Sequence, residues 1–250
     1  MRNRHFTLES FGGRGGELSR VVLVIFTAVL ATAAVNPGSG QSTGPAARPP
    51  VAAGVGPLES QQRRRRVERA SKEIDVAIDT LRLKAGDVVA EIGAGDARFS
   101  FRFADVVGPE GRVYANELGA SKVQRIQQRA DGLKLANLTA VEGAPDGTNL
   151  PDDCCDAMVM RMVYHMLTEP EPMARSFYRA LKPGGTLLIL EGDPEPGRPD
   201  ARGVPENRAG MGIDPDIVVD ELSAVGFQLE RRIPEWVGAD YALVFRKPRN

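Results

Sequence analysis

The residues best placed to do chemistry begin with Val88-Val89-Ala90-Glu91-Ile92-Gly93-Ala94-Gly95-Asp96-Ala97. An apolar strand that ends in an acid and turns through glycine into a helix is suited to holding a ligand. Glycine lets the backbone turn sharply and approach closely, and a short glycine pattern gains meaning from its place between strand and helix. A plain structural turn is the alternative. A second strand closes in an acid at Val113-Tyr114-Ala115-Asn116-Glu117. Lying about twenty residues beyond a glycine loop, that carboxylate can accept from both hydroxyls of a ribose; an ordinary surface acid is the alternative. A third strand runs out at Val141-Glu142-Gly143-Ala144-Pro145-Asp146. This loop would flank an adenine ring, with Asp146 the candidate acceptor for its amine, unless it is only a turn. After a fourth strand come Arg161-Met162-Val163-Tyr164-His165. His165 and Tyr164 are the candidate bases, because histidine titrates near neutrality. A helix cap or pocket wall is the competing role for His165.

The elements that must position these residues follow from hydrophobic spacing. Strands are expected at 88–92, 112–116, 138–142, 156–161 and 186–191, with helices near 98–107, 121–133 and 171–181. This alternation implies a parallel sheet with helices on both faces. A last helix near 216–225 precedes two strands, 227–233 and 241–245. The link between those two is too short for a helical crossover, so they should pair antiparallel. Val67, Ala70, Ile74, Ile78 and Leu81 set a further helix before the first strand, expected to end at Gly86. Arg63–Arg66 at its start reads as a solvated helix face, with contact to anionic lipid as the functional alternative.

Two cofactors compete for the glycine loop. A dinucleotide fingerprint wants glycine at position 98, where this chain has Arg98. A pyrophosphate also prefers a helix N-terminus free of acids, and Asp96 stands there. S-adenosylmethionine carries a cationic sulfonium and ammonium and no phosphate, so acids suit it. Glu91 can face its methionine ammonium.

These pieces resemble the class I S-adenosylmethionine-dependent methyltransferases that act on small molecules. The resemblance covers about residues 61–250 and rests on Glu91-Ile92-Gly93-Ala94-Gly95-Asp96, on Glu117, and on the stretch from Leu150 through Arg179-Ala180-Leu181-Lys182-Pro183-Gly184-Gly185-Thr186. It implies a Rossmann-like α/β fold, a seven-stranded, mostly parallel sheet with an antiparallel C-terminal hairpin. It implies that Glu91, Gly93, Ala94 and Gly95 form the first cofactor loop and that Glu117 holds the ribose. Gly143, Ala144 and Pro145, with Asp146, then line the adenine side, and Arg161 lies in the methyl-donor cleft. The Leu-Lys-Pro-Gly-Gly turn is structural. The chain departs from the family at Ala97, often a third glycine, at Met162, often an acid, and at Met166, often a second histidine. Those departures keep open a second reading, a cofactor-binding or scaffold protein without turnover. Methylation of a sulfonium-activated kind needs alignment and water exclusion more than a dedicated residue.

Bulk properties narrow the field. Net charge is −1, so no basic field recruits nucleic acid, and a small-molecule acceptor is favoured. The two cysteines, Cys154 and Cys155, are adjacent and the histidines are His5 and His165; neither set spaces out a metal site. Residues 1–35 end in the uncharged apolar run Val21–Val35, followed by a Pro/Gly-rich linker over 36–58, expected to be disordered, and the expected class I methyltransferase domain over 59–250. The apolar run suits a signal-peptide core or an N-terminal anchor, which implies an exported or membrane-anchored protein; a cytoplasmic one follows if the start is misplaced. Membrane association is expected through that run alone. The insert 192–213, rich in glycine, proline and charge, is a candidate lid or a surface loop.

Overall fold

Apolar residues in the strands alternate faces, and each face collects its own core. In β1 (Val88–Ile92), β4 (Cys155–Arg161) and β5 (Leu181–Glu191), the residues Val89, Val159, Leu188 and Leu190 pack with one cluster. Their neighbours Ala90, Met158, Met160, Leu187 and Ile189 pack with the other. This period-two split is what a sheet buried on both faces requires. Each fully buried leucine or isoleucine adds about 1.5–3 kcal/mol. The protein is described by a computed structural model covering residues 57–195, 203–208 and 210–249. The expected leader (1–35), nearly all of the linker (36–58) and the middle of the 192–213 insert lie outside the described residues. No helix among the described residues is long and apolar enough to cross a membrane.

The remaining strands are β2 (Arg112–Glu117), β3 (Leu138–Glu142), β6 (Gln228–Pro234) and β7 (Tyr241–Arg246). Seven strands lie in the order β3-β2-β1-β4-β5-β7-β6. All neighbours pair in parallel except β5–β7 and β6–β7, which are antiparallel. The helices on the two faces are α1 (Pro57–Leu81), α2 (Arg98–Val107), α3 (Ala120–Gly132), α4 (Pro170–Ala180) and α5 (Pro215–Ala224). α2 buries Phe99, Phe103, Ala104 and Val107 at helical spacing. α4 and α5 each begin on a proline, and Asp214 caps α5 by accepting from Asp216 N.

Two boundaries differ from the sequence expectation by more than one residue. α1 ends at Leu81 rather than at Gly86, because Arg82 takes a left-handed φ of 54°. Leu83 N then bonds Ile78 O and Arg82 N bonds Asp79 O, closing the helix with its last carbonyls satisfied. β5 begins at Leu181 rather than after Gly185: Leu181 already pairs with Cys155, and a register shift follows between Cys155 and Ala157. The proline–glycine turn is thus an irregularity within the strand pair, with Gly184 at φ 80°.

α1 is fastened at its middle by charge as well as by its apolar stripe of Ile74, Ala77 and Leu81. Glu73, 3% exposed, accepts from Arg161 Nε at 2.7 Å. Arg161 also donates to Gly238 O at 2.8 Å, tying α1, β4 and the β6–β7 connection together. Replacing Glu73 with Ala leaves a half-buried guanidinium without its acceptor. Urea unfolding should show a loss of about 1–3 kcal/mol, with faster proteolysis inside α1; a loss below about 0.5 kcal/mol would mean the apolar stripe alone docks the helix.

Candidate active site

Parallel register brings the strand ends to one edge. Ile92 stands level with Asn116 and Met160, Glu117 with Glu142, and Arg161 with Leu190. Ligands of open α/β sheets bind outside such carboxyl ends, and the sequence candidates lie on this edge or in the loops leaving it. A separate cavity of about 420 Å³ opens at the opposite edge, between Arg82, Lys182 and Arg246, far from the glycine loop.

The loop between β1 and α2 has two kinds of glycine. A β-carbon on Gly93, at φ 71°, would strike the Val163 side chain at 2.6 Å, so this glycine permits close contact with the segment after β4. A β-carbon on Gly95, at φ 55°, would meet nothing within 4 Å; this stretch of backbone is open to a ligand. Ala97 holds φ 56° with its methyl wholly buried. An alanine there bears about 1 kcal/mol of left-handed strain that glycine avoids.

Glu91 does not simply face outward. Its Oε2 accepts from Ser100 N at 2.8 Å and from Ser100 Oγ at 2.5 Å. Ser100 lies in the first turn of α2, whose N-cap, Ala97, offers no side-chain bond. A carboxylate from β1 therefore caps α2 from outside the helix, at the positive end of its dipole. Its Oε1 has no partner among the described residues. Burial pushes the pKa of Glu91 up to about 7, while the two Ser100 bonds act in the opposite direction.

Glu117 is buried and locks the loop. Its Oε2 accepts from Gly95 N at 2.7 Å, and its Oε1 from Leu118 N and Lys122 Nζ, each at 3.0 Å. Beyond β3, Gly143 N donates to Glu117 O at 3.0 Å. The Asn116 amide donates to Val141 O and Thr148 O and fills the space where a Gly143 β-carbon would stand. Ala144 and Gly147 bond each other across a tight turn, with Pro145 and Asp146 exposed at its tip.

The segment after β4 divides. Arg161 turns to Glu73 and Gly238 rather than into the cleft, because it compensates a buried acid. Tyr164 is wholly buried and donates its hydroxyl to Glu221 Oε2 at 3.0 Å, away from the strand edge; burial and the Glu221 charge hold its pKa well above the usual value. The structure thus gives Tyr164 a packing role and no path to a substrate. His165, in the 3₁₀ turn Tyr164–Met166, is 4% exposed with Nδ1 2.8 Å from Glu191 Oε2.

Sequence reasoning missed Ser100, Glu73 and Glu191. Glu191 was within reach of the rule that selected Glu91 and Glu117: it too is an acid ending an apolar strand, Leu187-Leu188-Ile189-Leu190-Glu191. Glu73 falls on the apolar stripe of α1 beside Ile74, where a charge demands a partner.

The arrangement fits S-adenosylmethionine. Open backbone at Gly95 lies beside the buried Glu117, and the N-terminus of α2, where a pyrophosphate would sit, already holds a carboxylate. The fold and the glycine loop are those of the class I, S-adenosylmethionine-dependent methyltransferases. Comparison with known proteins agrees: residues 90–189 match the methyltransferase domain family. A ubiquinone/menaquinone biosynthesis C-methyltransferase from Photorhabdus laumondii is 30% identical over 118 residues, 46% of this chain and 47% of the relative. One from a Marinomonas strain is 32% identical over 111 residues, 44% of each. The chain spans about half the length of the curated relatives it matches. Among solved structures, a SAM-dependent methyltransferase from Aquifex aeolicus superposes with TM-score 0.58 at 20% identity, covering 70% of this chain and 89% of that one. The [4+2]-cyclase SpnF superposes with TM-score 0.60 at 18% identity, covering 72% and 82%.

The folded state holds the Glu91 proton more tightly than the unfolded chain does. The resulting stability is complete below about pH 4.5 and is lost as pH rises through about 7. Glu91→Gln should therefore gain on the parent protein between about pH 5 and about pH 8, by up to about 3 kcal/mol in urea unfolding. An equal difference at both ends of that range would show that Glu91 is ionised throughout.

Proposed function

We propose that the protein transfers the methyl group of S-adenosylmethionine to a small-molecule acceptor. The observation that carries this reading is the contact of Glu117 with Gly95 N at 2.7 Å, which sets a buried carboxylate against the one open stretch of the glycine loop. When bound, the cofactor supplies a methyl group already activated on sulfur. Glu117 and Gly95 would hold its ribose, Oε1 of Glu91 its ammonium, and the Gly143–Asp146 turn its adenine. The 192–213 insert leaves β5 at the same edge, where we take it to help exclude water. The relatives' names point toward carbon methylation in quinone biosynthesis. We also read the 21–35 apolar run as an export or anchoring signal, on its sequence pattern.

The second reading, a binder without turnover, draws on Met162 and on the tying-up of Arg161. Calorimetric titration with S-adenosylmethionine tests the proposal first. One-to-one binding is expected, weakened at least ~10-fold in Glu117→Ala by loss of charge-assisted hydrogen bonds worth about 1.5–3 kcal/mol each. Absence of binding by folded protein would sink it, and binding untouched by the substitution would move the ribose elsewhere.

A further inference from the structure

We infer that His165, oriented by Glu191, takes the proton from a phenol- or enol-type hydroxyl of the methyl acceptor. This deepens the methyltransferase reading and rests on it. Glu191 is wholly buried at the end of β5, and its carboxylate is a hub for donors. It is reached by His165 N and Gly192 N, each at 3.3 Å, and faces His165 Nδ1 at 2.8 Å. A carboxylate already accepting from two backbone amides accepts from the ring as well, so Nδ1 carries the imidazole proton. Nε2 is then a bare acceptor. It makes no hydrogen bond among the described residues, and it is not one of the buried, partnerless nitrogens there, which are Arg208 Nε and Trp236 Nε1. A histidine that only filled the core would bond or bury both nitrogens.

Placement agrees. Val163, two residues before His165, packs on Gly93 of the cofactor loop. Met162 and Met166 lie in the segment directly after β4. The Met162 thioether methyl lies 3.4 Å from where a β-carbon on Gly192 would stand, and the Gly212 backbone borders the same point. Met166 and Met211 are among the few large apolar side chains left exposed in the described residues. Thioethers suit the edges and faces of flat rings.

The chemistry narrows the acceptor. A neutral amine attacks with its own lone pair, a carboxylate is already ionised, and an aliphatic alcohol, far less acidic than a phenol, is the poorer partner for an imidazole base. A phenol, with a pKa of about 10 as in tyrosine, is within range of a histidine whose far side rests on a carboxylate. In the step, the O–H bond breaks to Nε2–H while the nucleophile's bond to the methyl carbon forms and the carbon–sulfur bond breaks. The sulfonium leaves as a neutral thioether, and imidazolium is left against Glu191. For an enol or phenol attacking through carbon, the same removal of the hydroxyl proton creates the carbon nucleophile. Glu191 acts through His165 and is a positioning residue.

The chain's two histidines make the test clean. In the full-length His5→Gln protein, nitrogen-15 NMR should show His165 in the Nδ1–H form, losing that preference in Glu191→Gln. A dominant Nε2–H form in the parent would overturn the proposal. In parallel, transfer from methyl-labelled S-adenosylmethionine is measured with catechol and with aniline. Catechol should be methylated in preference, with kcat falling about 100-fold in His165→Gln and at least ~10-fold in Glu191→Gln. Both variants should bind S-adenosylmethionine as the parent does, which a merely structural role for Glu191 would not predict. Undiminished rates in either variant, preference for aniline, or no transfer to either compound while the cofactor binds would overturn it. Failure of cofactor binding in the parent would instead bring down the reading beneath.

Discussion

The Glu91 carboxylate at the head of α2 is the interaction on which the rest of the crevice depends. A helix N-terminus that follows a glycine turn is by default an anion site, and a phosphate-bearing cofactor would use it. Here the strand preceding the turn supplies an acid in that place, bonded through Ser100. The helix gains its cap, and the cleft above it keeps an acid in place of an anion receptor. Glu117 repeats the device one strand over, spending one oxygen on Gly95 N. Glu91 is held by Ser100 and Glu117 by backbone amides and Lys122, so the loop is lined with acids that suit a cationic ligand and no buried charge is left bare.

Fixing the loop in this way places demands on its neighbours. Gly93 can lie against Val163 only because it lacks a side chain, and that contact sets the height of the segment after β4 relative to the loop. The same segment is pulled from behind, where Tyr164 is bonded to Glu221 and packed under the Arg208 guanidinium. It is pulled from one side by Arg161 reaching Glu73 on α1. His165 is thus suspended between fixed points, which is the kind of support a precisely oriented side chain requires.

The sheet was legible in the sequence because its strands are short apolar runs separated by amphipathic helices, and the hairpin because its link is too short to cross over. Glu91, Gly93, Gly95 and Glu117 were legible because the strand–turn–helix context restricts what such residues can do. Arg161 and Tyr164 were misdirected for one reason: strand-end position says which edge a residue occupies but not which way its side chain turns. Arg161 found Glu73, 88 positions away in sequence, and Tyr164 found Glu221, 57 positions away. Long-range pairings of this sort leave no local spacing to read. The end of α1 escaped for the opposite reason, a local one: a left-handed arginine closed the helix where glycine is the usual signal.

The two halves of the edge differ in a way that matches the course of a methyl transfer. On the donor side, carboxylates face a ligand that arrives positively charged and leaves neutral. The ammonium that Glu91 would hold is unchanged by the step, so only the longer-range attraction to the charge on sulfur is lost with the methyl group. On the acceptor side, charge moves the other way. A neutral hydroxyl loses its proton, and the positive charge that disappears from sulfur reappears on His165. Glu191 is already in place to face it, buried and fully hydrogen-bonded, so little reorganisation is needed when the charge arrives. On this reading the positive charge leaves sulfur on the side of the crevice lined by Glu91 and Glu117 and arrives where Glu191 already stands.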